Sequence, residues 1–498
     1  MADNSWFGPH PQQSIINAGA WAAIATFGNA LLSLTGTIIL SRLLEPSEVG
    51  LFSLAFAFYS IPSMAFGPGL QAAAVQAQDL TEQQSSNLFW INVAINGALA
   101  VLLVTTAPMI AAFFQQPLMR LFCPVFALIL LLEGFATQYR ALLARAMRFD
   151  LVAKIQLTVG TMSMVVAIVL AWMGFGAWAL VMQVLVGAIA DRLALAAVVP
   201  WRPSWFARED GIRRLVHFSA GSSLTLGMHM IYTQAQAILM GRLASVSEIG
   251  FYNRGQSLFQ KPFAQILGPL HAVLLPALAS RQQDRDELGA ALSRANSMLY
   301  AILPPLVVWM MTSAGDIAVS LLGDSWKPAG DALFWFACGS IPLILFGCLW
   351  KGNEAVGRPT WGLGIRVAFL PILLAGLTWA APHGAATMAA VGAVVEWASA
   401  PVILWMLIKD GPVPHRYFVR PMAECVFVVA ANLAFMWVLK PWISALPVSA
   451  VMRSGLSLAL CYVIGLSVAQ AFPFGRAAYK EWLGLVRIWL RGAGMSPV

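Results

Sequence analysis

Residues 42–52 read Arg-Leu-Leu-Glu-Pro-Ser-Glu-Val-Gly-Leu-Phe, and residues 242–252 read Arg-Leu-Ala-Ser-Val-Ser-Glu-Ile-Gly-Phe-Tyr. Five of the eleven positions are identical, three more are conservative, and Ile38 with Ile238 and Pro62 with Pro262 extend the register at a constant offset of 200. Self-similarity at a long fixed offset is the mark of an internally duplicated chain. Each copy places a Ser-Glu pair where a helix starts and a glycine shortly after. The pattern predicts Ser47 and Ser247 as helix N-caps, with Gly50 and Gly250 allowing close helix approach. Arg42 and Arg242, which open the two copies, are read either as loop anchors or as the rim of a substrate path.

What surrounds these copies is almost entirely apolar. Of 498 residues, 59% are hydrophobic and 10% charged, and mean hydropathy is +0.74. So little polar surface cannot cover a water-soluble particle of this size, so the apolar residues must face lipid or one another within a bilayer. Taking about 20 apolar residues as one crossing, spans are predicted near 15–40, 49–75, 88–113, 121–138, 155–173, 177–200, 215–240, 250–279, 297–322, 332–350, 360–381, 385–408, 421–439 and 449–472. The expected fold is therefore all-α and polytopic, with about fourteen transmembrane helices. The duplicated motifs fall between the first and second helix of each block of six, which makes the blocks parallel repeats related by a pseudo-two-fold axis along the membrane normal. The expected organisation is a first six-helix bundle over 1–200, a second over 201–410, and two additional helices with a basic tail over 411–498.

Basic residues give an independent reading of topology, because cytoplasmic loops collect Lys and Arg. Twenty of the 30 fall on the even-numbered connections and the tail, and six (Arg42, Arg120, Arg242, Lys327, Lys440, Arg453) on the opposite side. Both termini are accordingly expected in the cytoplasm. The net charge of +8 is thereby explained by topology, and nucleic acid is not expected as a partner. The apolar run after the N-terminal residues is too long for a signal-peptide core and is read as a retained first helix.

The second copy departs from the first at two informative places: Leu54 is matched by Arg254, and Ile61 by Lys261. Seven residues apart, the two cations share a helix face about 10 Å apart along the axis. A cation at bilayer depth is costly unless it faces water or a partner, so Arg254 and Lys261 are the leading anion-binding candidates, with Arg42 and Arg242 as rim residues. Glu133, Glu396 and Glu424 each stand alone in an apolar run, and Asp191 lies in the sixth span; these four are candidates for ion coupling. Asp191 and its neighbour Arg192 point about 100° apart on a helix and so are not expected to pair.

Other chemistries lack their motifs. Cys123, Cys338, Cys348, Cys425 and Cys461 form no CxxC pair and have no histidine at ligand spacing, so neither disulfides, a metal nor another cofactor is expected. No Gly-Lys dipeptide occurs, so the GxxxxGK[ST] phosphate loop is missing. No connection is long enough to house a catalytic domain. A secondary transporter or flippase remains, not an enzyme.

The blocks SRLLEPSEVGLFSLA, VQAQDLTEQQSSNLFWINVAI, RALLARAMRFD, GFGAWALV and SEIGFYNRGQSLFQKP resemble, in that order, the polysaccharide-exporter branch of the multidrug/oligosaccharidyl-lipid/polysaccharide (MOP) flippase superfamily, and are most similar to its Wzx-type members of colanic-acid and xanthan-like pathways. The resemblance implies two six-helix bundles followed by two extra helices in the bacterial inner membrane. It further implies alternating access, carrying undecaprenyl-diphosphate-linked oligosaccharide units from the cytoplasmic to the periplasmic leaflet for exopolysaccharide or lipopolysaccharide synthesis. A cationic central cavity would hold diphosphate and sugar while the polyprenyl tail stays among membrane lipids, and a polysaccharide polymerase and export machinery would be further partners. The first bundle here has apolar second, third and fifth helices, so anion recognition is expected mainly from the second. The rivals are a MATE-like ion-coupled drug/cation antiporter, in which a carboxylate should dominate the cavity, and a polymerase or ligase acting on lipid-linked sugars, which would need a sizeable periplasmic loop.

Overall fold

The computed structural model describes residues 15–77, 80–209, 236–358 and 361–473, with single positions elsewhere. Among these residues the fold is all-helical. The first six helices are α1 (Ile15–Leu43), α2 (Pro46–Gln76), α3 (Glu82–Phe114), α4 (Met119–Arg145), α5 (Phe149–Trp172) and α6 (Ala177–Val198). They are followed by α7 (Val246–Ala279), α8 (Arg285–Thr312), α9 (Ala314–Leu322), α10 (Lys327–Ala355), α11 (Leu363–Ala380), α12 (Ala385–Asp410), α13 (Val419–Ala445) and α14 (Ala450–Gln470). Twelve helices among the described residues are long and apolar enough to cross a membrane. Most of the expected span 215–240 lies outside the described residues. The expected span 250–279 forms a helix, α7, which is not one of the twelve; it carries Glu248, Arg254, Lys261 and His271 along its length. The expected span 297–322 is corrected: α8 starts twelve residues earlier, capped by Asp284, and the chain breaks at Ser313 before the short α9.

Two compact units divide the chain, Met1–Gly250 and Phe251–Val498. In the first, α1 packs on α5, α5 on α6, α6 on α4, and α4 on both α2 and α3. Phe52, Phe56, Tyr59 and Phe126 form an aromatic core between α2 and α4. At one end Arg145 of α4 donates to the carbonyls of Ala74 at 2.9 Å and Ala77 at 2.5 Å, satisfying the last turn of α2. The extended segment after α6 is fastened to α3. Asn87 donates to the Ala207 carbonyl at 2.7 Å and accepts from its N–H at 3.1 Å, while Trp90 donates to the Ser204 carbonyl at 2.8 Å and stacks on Trp205.

The repeat motif takes a form that differs slightly from the sequence reading. The caps are Glu45 and Ser245, two residues before the expected serines: the Glu45 N–H donates to Glu48 at 2.8 Å, and the Ser245 hydroxyl accepts from the Glu48 counterpart, Glu248, at 3.3 Å. Pro46, which has no N–H to satisfy, suits the first turn of α2, but the second copy starts at the same place with Val246, so both helices begin one residue ahead of the Ser-Glu pair whatever residue stands there. The two glycines do mark a close approach, and they approach each other's turn. A Cβ on Gly50 would lie 1.8 Å from the Val246 carbonyl oxygen, and one on Gly250 would lie 2.0 Å from that of Pro46.

In the second unit α8 is the hub, contacting α10, α13 and α14. Tyr300 donates to the Leu345 carbonyl at 2.8 Å, Trp309 to that of Ser454 at 2.9 Å, and Tyr462 to that of Ile302 at 3.2 Å. Arg453 of α14 pairs with Asp316 of α9 at 3.2 Å. The last two helices are thus built into the packing of this unit through polar as well as apolar contacts.

Candidate functional site

Arg254 lies in the third turn of α7, where Gly255 sets the neighbouring geometry. A Cβ at Gly255 would be 2.8 Å from the Ala329 carbonyl oxygen and 2.9 Å from the Ala332 Cβ, so only glycine lets α7 seat this closely on the first turns of α10. That seating brings Arg254 against Trp326, the residue before α10, with the guanidinium 5.7 Å from the ring centroid. The indole face offers a partial partner for a cation but accepts no strong hydrogen bond. Accordingly the Arg254 Nε is buried with no hydrogen-bond partner. Lys261, two turns further on and half-buried, is close enough for its charge to be opposed by that of Arg254. One helix therefore holds two like charges, one of them with an unmet donor. An anion with several acceptor oxygens removes both costs at once.

The other expected residues are distributed over the two units. Arg42 is exposed in the last turn of α1, and Arg242 is exposed with its guanidinium 5.6 Å from the Phe113 ring. Asp191 pairs with Arg140 at 2.7 Å, while Arg192 stacks on Tyr139 at 4.4 Å, so the adjacent Asp191 and Arg192 do point to different partners. Glu133 is not alone: it accepts hydrogen bonds from the Tyr59 hydroxyl and, at 2.6 Å, from Ser63, both on α2. Glu396 on α12 lies within electrostatic range of Arg366, whose guanidinium is over the Trp350 ring. Glu424 is not alone either, being held by Arg420 at 2.8 Å one turn earlier. That pair accounts for the carboxylate structurally, so Glu424→Gln is expected to leave transport and its pH profile unchanged, as measured in proteoliposomes across pH 6–8, where a carboxylate-coupled step would show. Among the described residues no group of three or more His, Cys, Asp or Glu is placed to hold a metal ion.

A model of the family described as polysaccharide biosynthesis protein matches residues 39–331 of this chain, more than half its length. The chain belongs to that family. The polysaccharide biosynthesis match starts just before the first motif copy and ends within α10, so it takes in Arg254, Lys261 and Trp326. Among curated relatives, the succinoglycan biosynthesis transport protein ExoT of Rhizobium meliloti is 25% identical over 313 residues, which is 63% of this chain and 63% of ExoT. The match to this relative thus spans somewhat less than two thirds of its length. Among solved structures, the lipid II flippase MurJ in an inward closed conformation superposes with a TM-score of 0.68 at 13% identity, covering 90% of this chain and 98% of MurJ. An inward-facing multidrug resistance MATE family transporter of the MOP superfamily gives 0.60 at 15% identity, covering 78% and 98%. The chain thus shares its fold with these multi-pass membrane transporters, and its polysaccharide biosynthesis family agrees with the Wzx-type resemblance.

Proposed function

We propose that this chain is a flippase that carries undecaprenyl-diphosphate-linked oligosaccharide units from the cytoplasmic to the periplasmic leaflet of a bacterial inner membrane by alternating access, with both termini in the cytoplasm. The observation that carries this reading is Arg254: a cation on α7 with a buried, unpartnered donor, followed two turns later by Lys261. A diphosphate supplies the missing acceptors, and the planar guanidinium suits its oxygens better than an ammonium does. The family match and the ExoT name support polysaccharide precursors as cargo. Arg42 and Arg242 serve in this reading as exposed outer cations that meet the headgroup, and a polymerase and export machinery receive the product.

The test is leaflet movement of a fluorescent undecaprenyl-diphosphate oligosaccharide in proteoliposomes, read with a membrane-impermeant reagent. Protein-dependent movement is expected. Absence of movement for any lipid-linked sugar, together with gradient-driven efflux of small organic cations, would transfer the chain to the antiporter reading.

A further inference from the structure

A cavity of about 300 Å³ lies inside the first unit, with no residue of α7 in its lining, and the flipping role assigned to Arg254 makes no use of it. It is at the small end of ligand sites, which run from about 300 to 1,000 Å³. The cavity is lined by residues of α1, α2, α4, α5 and α6, with α1 packed on α5, α5 on α6, and α6 and α2 on α4. Six polar side chains from five different helices reach it: Asn29, Tyr59, Glu133, Arg140, Gln156 and Asp191. The rest of the wall is aliphatic or glycine. At Gly160 an added Cβ would sit 3.7 Å from the Asn29 amide oxygen, so the glycine keeps that amide uncovered.

The hydrogen bonds within this lining leave capacity pointing inward. Asn29 donates to the Gln156 side-chain oxygen at 3.2 Å, which leaves the Asn29 oxygen as an acceptor and the Gln156 nitrogen as a donor. A carboxylate has about four acceptor positions, and Tyr59 and Ser63 take two of those on Glu133. Arg140 commits one terminal nitrogen to Asp191 and has further N–H groups to offer. Donors and acceptors therefore alternate around an apolar floor. A single monovalent ion would need only a few oxygens at one point, whereas these groups extend along α4 from Glu133 to Arg140, about 10 Å. A pyranose ring has the matching chemistry: vicinal hydroxyls that donate and accept together, and a C–H face for aliphatic contact.

Charge narrows the class further. Glu133 and Asp191 face one cation, Arg140, so the lining carries one carboxylate in excess. That excess disfavours phosphate and uronate, and separates this cavity from the cationic Arg254–Lys261 helix. We infer that the cavity binds one neutral sugar ring of the lipid-linked oligosaccharide, with Asn29 and Gln156 reading its hydroxyls and Glu133 rejecting acidic sugars. This deepens, and rests on, the flippase reading.

The test is binding to the full chain in phosphatidylethanolamine/phosphatidylglycerol nanodiscs, with three probes: undecaprenyl diphosphate, the same lipid bearing glucose, and the same lipid bearing glucuronate. The glucosyl lipid is expected to bind about tenfold more tightly than either of the others, the gain of one or two net hydrogen bonds. Asn29→Ala with Gln156→Ala should bring the glucosyl lipid down to the level of the bare lipid. The isosteric Glu133→Gln should bring the glucuronyl lipid up towards the glucosyl one. Equal affinity of the parent for all three lipids overturns the inference, as does a preference that survives both variants. So does a Glu133→Gln protein that loses its response to a proton gradient with the sugar preference intact, since that assigns the carboxylate to ion coupling. Binding needs no leaflet movement, so a failure of flipping would appear separately in proteoliposomes, with the binding preference still measurable.

Discussion

Arg254→Ala is expected to lower the flipping rate of diphosphate-linked sugar by about 10- to 100-fold, the value of a charge-assisted, bidentate contact, while the protein melts no lower than the parent. The two halves of that result have one cause. The guanidinium is partly desolvated, its Nε has no acceptor, and the Trp326 face lies 5.7 Å away. Removing an uncompensated charge from such a place costs little and can stabilise. With diphosphate bound, the same side chain meets several oxygens, and its loss is felt in binding and in any transition state that keeps the headgroup bound. Arg254→Lys should fall between, keeping charge without the fork. Lys261→Ala should act in the same direction, with relief of its repulsion by Arg254 offsetting part of the loss. Rates come from the proteoliposome assay and melting from thermal aggregation in detergent. Unchanged transport in both alanine variants and in the double variant would remove the pair from the site. A large fall in melting temperature for Arg254→Ala would make its role structural.

The difference between Leu54 and Arg254 could be read from sequence because a duplicated chain carries its own reference: a position apolar in one copy shows what the architecture accepts, and a cation in the other needs another reason. Leu54 is in fact fully buried in the aromatic core of the first unit. Most crossings were equally legible, because about 20 apolar residues have few alternatives. What failed was local or distant. The caps stand two residues earlier in both copies, with Pro46 opening one helix and Val246 the other, so the extra half-turn ahead of the Ser-Glu pair belongs to the shared motif and not to one residue type. The break at Ser313 lies in the short stretch Thr312-Ser313-Ala314-Gly315-Asp316, whose hydroxyls, glycine and carboxylate are outweighed by the apolar residues on both sides when a span is read by average hydropathy. The partners of Glu133 lie 70 and 74 residues away on α2, and apolar periodicity carries no information on which carboxylate meets which hydroxyl. The same holds for Asn29 and Gln156, 127 residues apart, whose only mark in the sequence is an amide in each of two otherwise apolar helices. Arg420 and Glu424 were within reach of the i,i+4 rule, which would have matched them directly.

Gly50→Val is expected to prevent accumulation of folded protein, the largest structural effect among single substitutions in the repeat motif. Overpacking in a core costs about 1–3 kcal/mol when side chains can move aside. Here the obstacle is backbone: the added Cβ would stand 1.8 Å from the Val246 carbonyl oxygen and 3.1 Å from the Gly250 nitrogen. No rotamer change relieves that contact, so the first turns of α2 and α7 must separate by more than an ångström. They are poorly able to do so, because Gly250 meets the Pro46 carbonyl at 2.0 Å in the reciprocal sense and Val49 and Ile249 are buried beside them. Gly250→Val should therefore fail in the same way. Gly268→Ala, where an added Cβ meets nothing within 4 Å, should be tolerated and serves as the control. Fluorescence-detected gel filtration of membrane extracts gives the readout, as a monodisperse peak for the control and its loss for both valine variants. A normal peak for Gly50→Val would mean that the two turns part readily, and the glycines would then be conformational hinges in place of fixed packing points.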